Sequence, residues 1–347
     1  MLVDSAPEQR AEAPPAPPSR RALRAAGLIA SAVILALVAL ASIAVGAKAL
    51  PLDQVWHGLF HASGTYGDVV VDERLSRTVL GLLAGAALGL SGAVLQALTR
   101  NPLADPGLLG INAGASAAVV TAITYFGVTS LSGYVWFAFG GAAAVGLLLR
   151  FLGGSRGATP VRLALAGTAI SAALYGYLQA VMIMDDAALA RMRFWTVGSL
   201  SSASDSTTLQ VLPFLAVGAL LALGLARPLN AMEMGDDTAR ALGANLNRTR
   251  SLAMLAATVL CGAATAACGP IVFVGLMVPH VVRSFTGPDL RWILPYAAVL
   301  SPVLLLGADV IGRIVARPAE VQVGIVTAII GGPVFILLVR RRRTVQL

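Results

Sequence analysis

The stretch RLSRTVLGLLAGAALGLSGAVLQALTRNPLADPGLLGINAGA, residues 74–115, decides the fold. From about 77 to 99 it is apolar and uncharged after Arg77, and about 20 such residues make one helical crossing of a bilayer. Gly81, Gly85 and Gly89 recur every four residues, which leaves a flat ridge along one helix face for a second helix backbone to approach. Pro102 and Pro106 then break the chain, and Asn101 and Asp105 can cap the turns beyond them. A second apolar run starts at about 107. Two membrane helices joined by a rigid, irregular turn are predicted. Taken alone, that turn suits a gate and a plain tight connection equally.

Composition extends this reading to the whole chain. Of 347 residues, 57% are hydrophobic and 12% charged, against about 45–50% and about 25% in soluble domains. The charge is too sparse to cover a water-soluble surface, and disorder needs the opposite composition. The expected class is an all-α integral membrane protein. Residues 1–22, rich in Pro, Ala, Glu and Arg, read as a flexible tail, and 23–343 as one transmembrane domain. Apolar runs fall at about 25–47, 77–99, 107–128, 133–153, 161–184, 207–227, 250–269, 293–314 and 323–340. A shorter segment, about 271–282 and broken by Pro279, brings the expectation to ten transmembrane helices. Two five-helix halves would allow an inverted repeat.

Loop charges set the orientation. With both termini in the cytoplasm, 18 of the 25 basic residues fall inside and 7 outside, as the positive-inside rule requires. The basic residues lie between apolar blocks rather than along one face, so a membrane and not nucleic acid is the expected partner. Only one of them is a lysine, Lys48, and it follows Ala47. A phosphate-binding G-x-x-x-x-G-K-[ST] loop is therefore absent, so any ATP hydrolysis must come from a partner.

Other chemistry-bearing residues have modest readings. Cys261 and Cys268 lie about two helical turns apart in an apolar block and suit inert packing better than a metal site. His57 and His61 could hold a metal or haem iron, but Trp56, Leu59 and Phe60 beside them favour an interfacial helix. No metal or cofactor is expected. Asp309 could carry protons in a secondary transporter, yet Arg313 is four residues on and favours a structural ion pair. In the loop 231–247, Asp236 and Asp237 precede Arg240 and Gly243, the signature of a short helix. Its apolar face would suit a partner, with a solvated loop helix as the plain alternative.

The quoted stretch, together with MGDDTARALGANLNRTR (234–250), CGPIVFVGLMVPHVVR (268–283) and GADVIGRIVARPAEVQVGIVTAIIGGPVFILLV (307–339), closely resembles the FecCD family of ABC-importer permeases. The resemblance implies ten helices and a cytoplasmic-membrane location. It also implies a second permease subunit, identical or homologous, two ATPase subunits and an extracytoplasmic substrate-binding protein. Gly235, Ala239, Leu242 and Gly243 fit the family's G-x-x-x-A-x-x-L-G coupling pattern, with Asp236 and Arg240 inside it. Arg74, Arg77 and Arg313 match positions that receive acidic residues of the binding protein, a task suited to the planar guanidinium fork. Ser76 and Gln322 stand where the family prefers proline. Asn101, Leu103 and Thr159 are the candidate cytoplasmic gate, His280 is a structural match, and the fifth, eighth and tenth helices would line the path. RFWTVGSLSSAS (193–204) and the final segment look most like the ferric-siderophore branch, ahead of haem and cobalamin.

Overall fold

The computed structural model describes residues 20–46, 50–61, 64–153, 160–201 and 203–343. Among these, every regular element is helical. In chain order they are α1 (Arg20–Ala44), α2 (Leu52–Phe60), α3 (Tyr66–Thr99), α4 (Ile111–Phe126), α5 (Leu131–Gly153), α6 (Pro160–Met184) and α7 (Asp186–Trp195). The second half of the chain forms α8 (Asp205–Gly224), α9 (Ala226–Glu233), α10 (Asp236–Ala241), α11 (Leu246–Cys268), α12 (Val274–Thr286), α13 (Leu290–Val315) and α14 (Val323–Arg343). A 3-10 turn, Pro106–Leu109, leads into α4.

Each of the ten apolar segments read from the sequence contains a helix. Among the described residues, seven helices are long and apolar enough to cross a membrane: Arg20–Ala44, Tyr66–Thr99, Gly133–Leu152, Ala164–Met184, Asp205–Gly224, Leu246–Cys268 and Leu290–Val315. Ile111–Phe126 and Val323–Leu337 are apolar but shorter. The chain is a multi-pass membrane protein. Two short helices are not evident from the sequence: α7 and α9 follow the preceding spans after one residue each, Asp185 and Leu225, with no longer polar break to announce them.

Local chemistry places the helix ends. Thr65 and Asp68 form a reciprocal capping box that starts α3, and Arg100 ends it in the left-handed region at φ 49°. Ser204, Asn245 and Asp289 cap α8, α11 and α13 by accepting backbone N–H groups. The glycine ridge then decides the core. Gly81 faces Leu306, Gly85 faces Pro302, and Gly89 faces Ser301 and Ala297, all on α13. One turn further, Gly92 lies against Gly275 of α12. A methyl group at Gly85 would fall 2.6 Å from the Pro302 Cα, so only glycine permits this approach. Helix α3 is thereby buried along most of its length, with α13, α11 and α12 around it.

Helix α12 runs continuously through Pro279, and the carbonyl this proline leaves free has a side-chain partner. Pro279 lacks an N–H, which leaves the Gly275 carbonyl without its helical donor. Gln96 Nε2 replaces it, donating to Gly275 O at 3.3 Å and to Leu276 O at 3.0 Å. Gln96 is buried, so these are internal bonds that water does not replace.

Candidate functional site

Two polar clusters stand at opposite ends of α3, and between them they hold most of the described residues singled out from the sequence. The first surrounds α10. Gly235 takes φ +112°, where other residues are strained, and separates α9 from α10. Gly243 closes the segment at φ +81°. Ala239 is buried, whereas Leu242 is 65% exposed. Arg240 points outward and pairs at 2.7 Å with the fully exposed Asp237. The short helix therefore turns one small residue to the protein and presents Leu242 and Arg240 outward, beside exposed Met234.

Asp236 belongs to the opposite side of this helix. Its carboxylate accepts from Arg100 on Oδ1 and from Arg250 Nη2 at 2.6 Å on Oδ2. Desolvation works to raise this carboxyl, but the two guanidinium hydrogen bonds outweigh it and hold the group below the usual carboxylate range. Arg100 also donates through Nε to Met232 O at 2.9 Å. Nearby, Arg283 Nη1 of α12 donates to Glu233 Oε1 at 2.9 Å. In the sequence, Arg100, Arg250 and Arg283 are only loop charges, and Glu233 does not stand out. Their pairings join positions far apart in the chain, which no local spacing reveals.

Arg100 leads straight into the NPLAD turn. Asn101 Oδ1 accepts from Leu103 N at 3.0 Å, and Asp105 Oδ1 accepts from Gly107 N at 2.8 Å. Burial pushes the Asp105 carboxyl up to about 6, against the lowering effect of the Gly107 hydrogen bond. Leu103 and Pro102 line a small apolar hollow with Leu276, Met277 and His280 of α12 and Phe335 of α14. The turn thus meets two of the helices expected from the family resemblance to line a transport path. Thr159, the third candidate gate residue, lies outside the described residues.

The second cluster is at the start of α3. Asp309, fully buried, is 2.7 Å from Arg77 Nη2 and 3.0 Å from Arg313 Nη2. The expected Asp309–Arg313 pair is present, and Arg77 makes it a triad. Arg77 also reaches Glu320 Oε2 at 2.7 Å. The end of α1 is bound into the same network. Arg313 Nη1 donates to Ser42 O at 2.8 Å, Arg74 Nη1 to Ile43 O at 3.0 Å and Ala44 O at 3.1 Å, and Arg317 Nη2 to Gly46 O at 2.7 Å. These are carbonyls at and just beyond the C-terminus of α1, where guanidinium groups are favoured.

The three arginines that the motif groups for docking differ in exposure, and Arg313 is only 1% exposed. Its guanidinium is turned into the bundle, because the orphan carbonyl of Ser42 and the Asp309 carboxylate both lie there. Arg74 and Arg77 keep partial exposure at the rim.

The remaining candidates are structural in their surroundings. Cys261 and Cys268 are buried free thiols, and Cys261 Sγ sits 3.4 Å from Asn112 Oδ1, which also accepts from Thr265 at 2.9 Å. His57 Nδ1 lies 3.3 Å from Asp68 Oδ1 at the corner between α2 and α3.

Comparison with known proteins gives these clusters their context. The chain is 46% identical over 329 residues to the ferric enterobactin transport system permease protein FepD of Escherichia coli, covering 93% of this chain and 96% of that one. It is 37% identical over 317 residues to the hemin transport system permease protein HmuU of Yersinia pestis, covering 90% and 94%. A solved inward-facing conformation of a metal-chelate type ABC transporter superposes with a TM-score of 0.81 at 26% identity, over 91% of this chain and 99% of that one. The model of the FecCD transport family matches residues 34–341. The chain belongs to the FecCD transport family.

Proposed function

We propose that the protein is the permease subunit of an ATP-driven importer that carries a ferric siderophore across the cytoplasmic membrane. The observation that carries this reading is the 46% identity to a ferric enterobactin permease along nearly the whole of both chains. Relatives named for ferric citrate and ferric hydroxamate import, at 39% identity each, support the same cargo class. Haem is the second reading, favoured by the 37% identity to a hemin permease. Ten crossings in two five-helix halves, with both termini in the cytoplasm, complete the proposed topology.

In this reading the α10 end faces the cytoplasm, and residues 231–247 form the coupling segment. Gly235 and Gly243 set the ends of α10, Ala239 seats it, and Leu242 and Arg240 enter a cleft of the ATPase. An exposed leucine beside an arginine suits a protein partner better than the aqueous phase. Asn101 and Leu103, with Thr159 from the stretch before α6, close the cytoplasmic end of the path between two permease subunits. At the outer end, Arg74 and Arg77 receive acidic residues of the binding protein, while Arg313 fixes α1 and α13 behind them. Asp309 is tied into two ion pairs, which favours a structural role over proton carriage in a secondary transporter.

Co-purification tests the reading. The wild-type chain should retain a co-expressed ATPase in detergent, and Arg240→Glu with Leu242→Asp should release it while the permease stays folded. Retention of the ATPase by the double variant would remove α10 from the contact.

A further inference from the structure

The coupling reading leaves a mechanical question that the charged residues behind α10 answer. Helix α10 has only six residues and one buried side chain, Ala239. Gly235 interrupts the backbone between it and α9, so α10 has little of its own to hold it to the bundle. A short, weakly packed element behind a glycine moves independently unless something ties it down. Helix α9, by contrast, is seated by Ala226, Leu229 and Met232.

Arg100 bridges that break. Its Nε holds Met232 O on the α9 side at 2.9 Å, and its Nη2 holds Asp236 on the α10 side. The same residue is the left-handed cap of α3 and the immediate neighbour of Asn101. Arg283 links α9, not α10, to α12, through Glu233 at 2.9 Å, so movement of α10 reaches α12 by way of α9, to which Arg100 ties it. The Arg283–Glu233 pair is partly buried, so salt screens it less than the exposed Arg100–Asp236 pair. Their value lies in direction more than in stability, since exposed pairs contribute only about 0–1 kcal/mol. A guanidinium making two bonds at fixed angles transmits displacement better than a single flexible contact.

We propose that Arg100 and Arg283 are positioning residues that carry movement of α10 to the two walls of the cytoplasmic gate, the NPLAD turn and α12. Arg100 pulls on the turn through its own backbone. Arg283 pulls on the helix that carries Leu276, Met277 and His280 against Leu103. This rests on the proposed function, because it presumes that α10 is moved by an ATPase.

The test uses the assembled complex of permease, ATPase and binding protein in lipid vesicles, isolated through a tag on the ATPase so that only folded permease is assayed. Uptake of iron-loaded siderophore and ATP hydrolysis are measured together. Arg100→Gln and Arg283→Glu are expected to assemble and hydrolyse ATP, with uptake per ATP lowered roughly fivefold or more, the scale of an ordinary coupling energy. Reversing the second pair, Glu233→Arg with Arg283→Glu, should restore the ratio. Unchanged uptake per ATP in both single variants would overturn the proposal. So would a lowered ratio that the reversed pair fails to recover, which would mark a packing defect instead. Failure of the wild-type chain to assemble with an ATPase would sink the proposed function itself, and is read separately.

Discussion

Asp309 shows how much of this protein is settled by single charges. It lies between Arg77 at 2.7 Å and Arg313 at 3.0 Å, with no exposure of its own. Removing its charge leaves two inward-turned guanidiniums repelling each other, a loss of about 3–5 kcal/mol for a broken buried pair. Asp309→Asn should therefore lower the unfolding midpoint in detergent markedly. Asp309→Leu combined with Arg313→Met should lower it much less, since replacing buried charges together by apolar groups is often neutral. A larger loss in the double variant than in Asp309→Asn would show that the capping of Ser42 by Arg313, rather than the ion pair, dominates. The sequence makes the pair legible, because Asp309 and Arg313 are one turn apart on a helix. It hides Arg77, Glu320 and the α1 carbonyls, because no periodicity links residue 77 to residue 309 or residue 313 to residue 42. For the same reason Arg313 reads as a surface group until the fold is known.

At the scale of elements, two interruptions of regular hydrogen bonding are met by different means. In α12 the carbonyl freed by Pro279 is met by Gln96 from α3. Gln96→Leu should cost about 1–3 kcal/mol, the range for stranding a buried acceptor, and hydrogen exchange in α12 should quicken more than in α11. Uniform exchange in both helices would remove the claim. In the NPLAD turn the critical group is Asp105, whose carboxyl is pushed up to about 6 by burial. A carboxyl raised above its ordinary value of about 3.9 favours the folded state fully only below that value. That contribution is lost as pH rises through about 6. The wild type should accordingly lose thermal stability between about pH 4 and about 7 relative to Asp105→Asn, which keeps an oxygen to accept from Gly107 but cannot ionise. Parallel curves for the two proteins would contradict this. The turn itself is legible from its prolines. The partial burial of Asp105 is not, because it depends on how the neighbouring helices close around the loop.

For the whole molecule, the glycine ridge carries the most information. Gly81, Gly85 and Gly89 announce a helix packed at close range, and α3 meets α13 along that ridge. Low charge and long apolar runs likewise foretell an all-helical membrane protein, since those features need no tertiary context. The short helices α7 and α9 and the ionic links around α10 depend on contacts between distant segments, and so stay hidden. What unites the two ends is α3, which starts in the Asp309 network and ends at Arg100. In the proposed importer it is the strut between the docking face and the gate.

The most direct measurement is uptake of a radiolabelled ferric siderophore into vesicles holding the permease with its ATPase, the binding protein being presented on the face opposite the ATPase. Uptake should require ATP on the ATPase side and the binding protein on the other, and should persist when the proton gradient is collapsed. Accumulation driven by a proton gradient without ATP, or no uptake from a complex that hydrolyses ATP, would contradict the account.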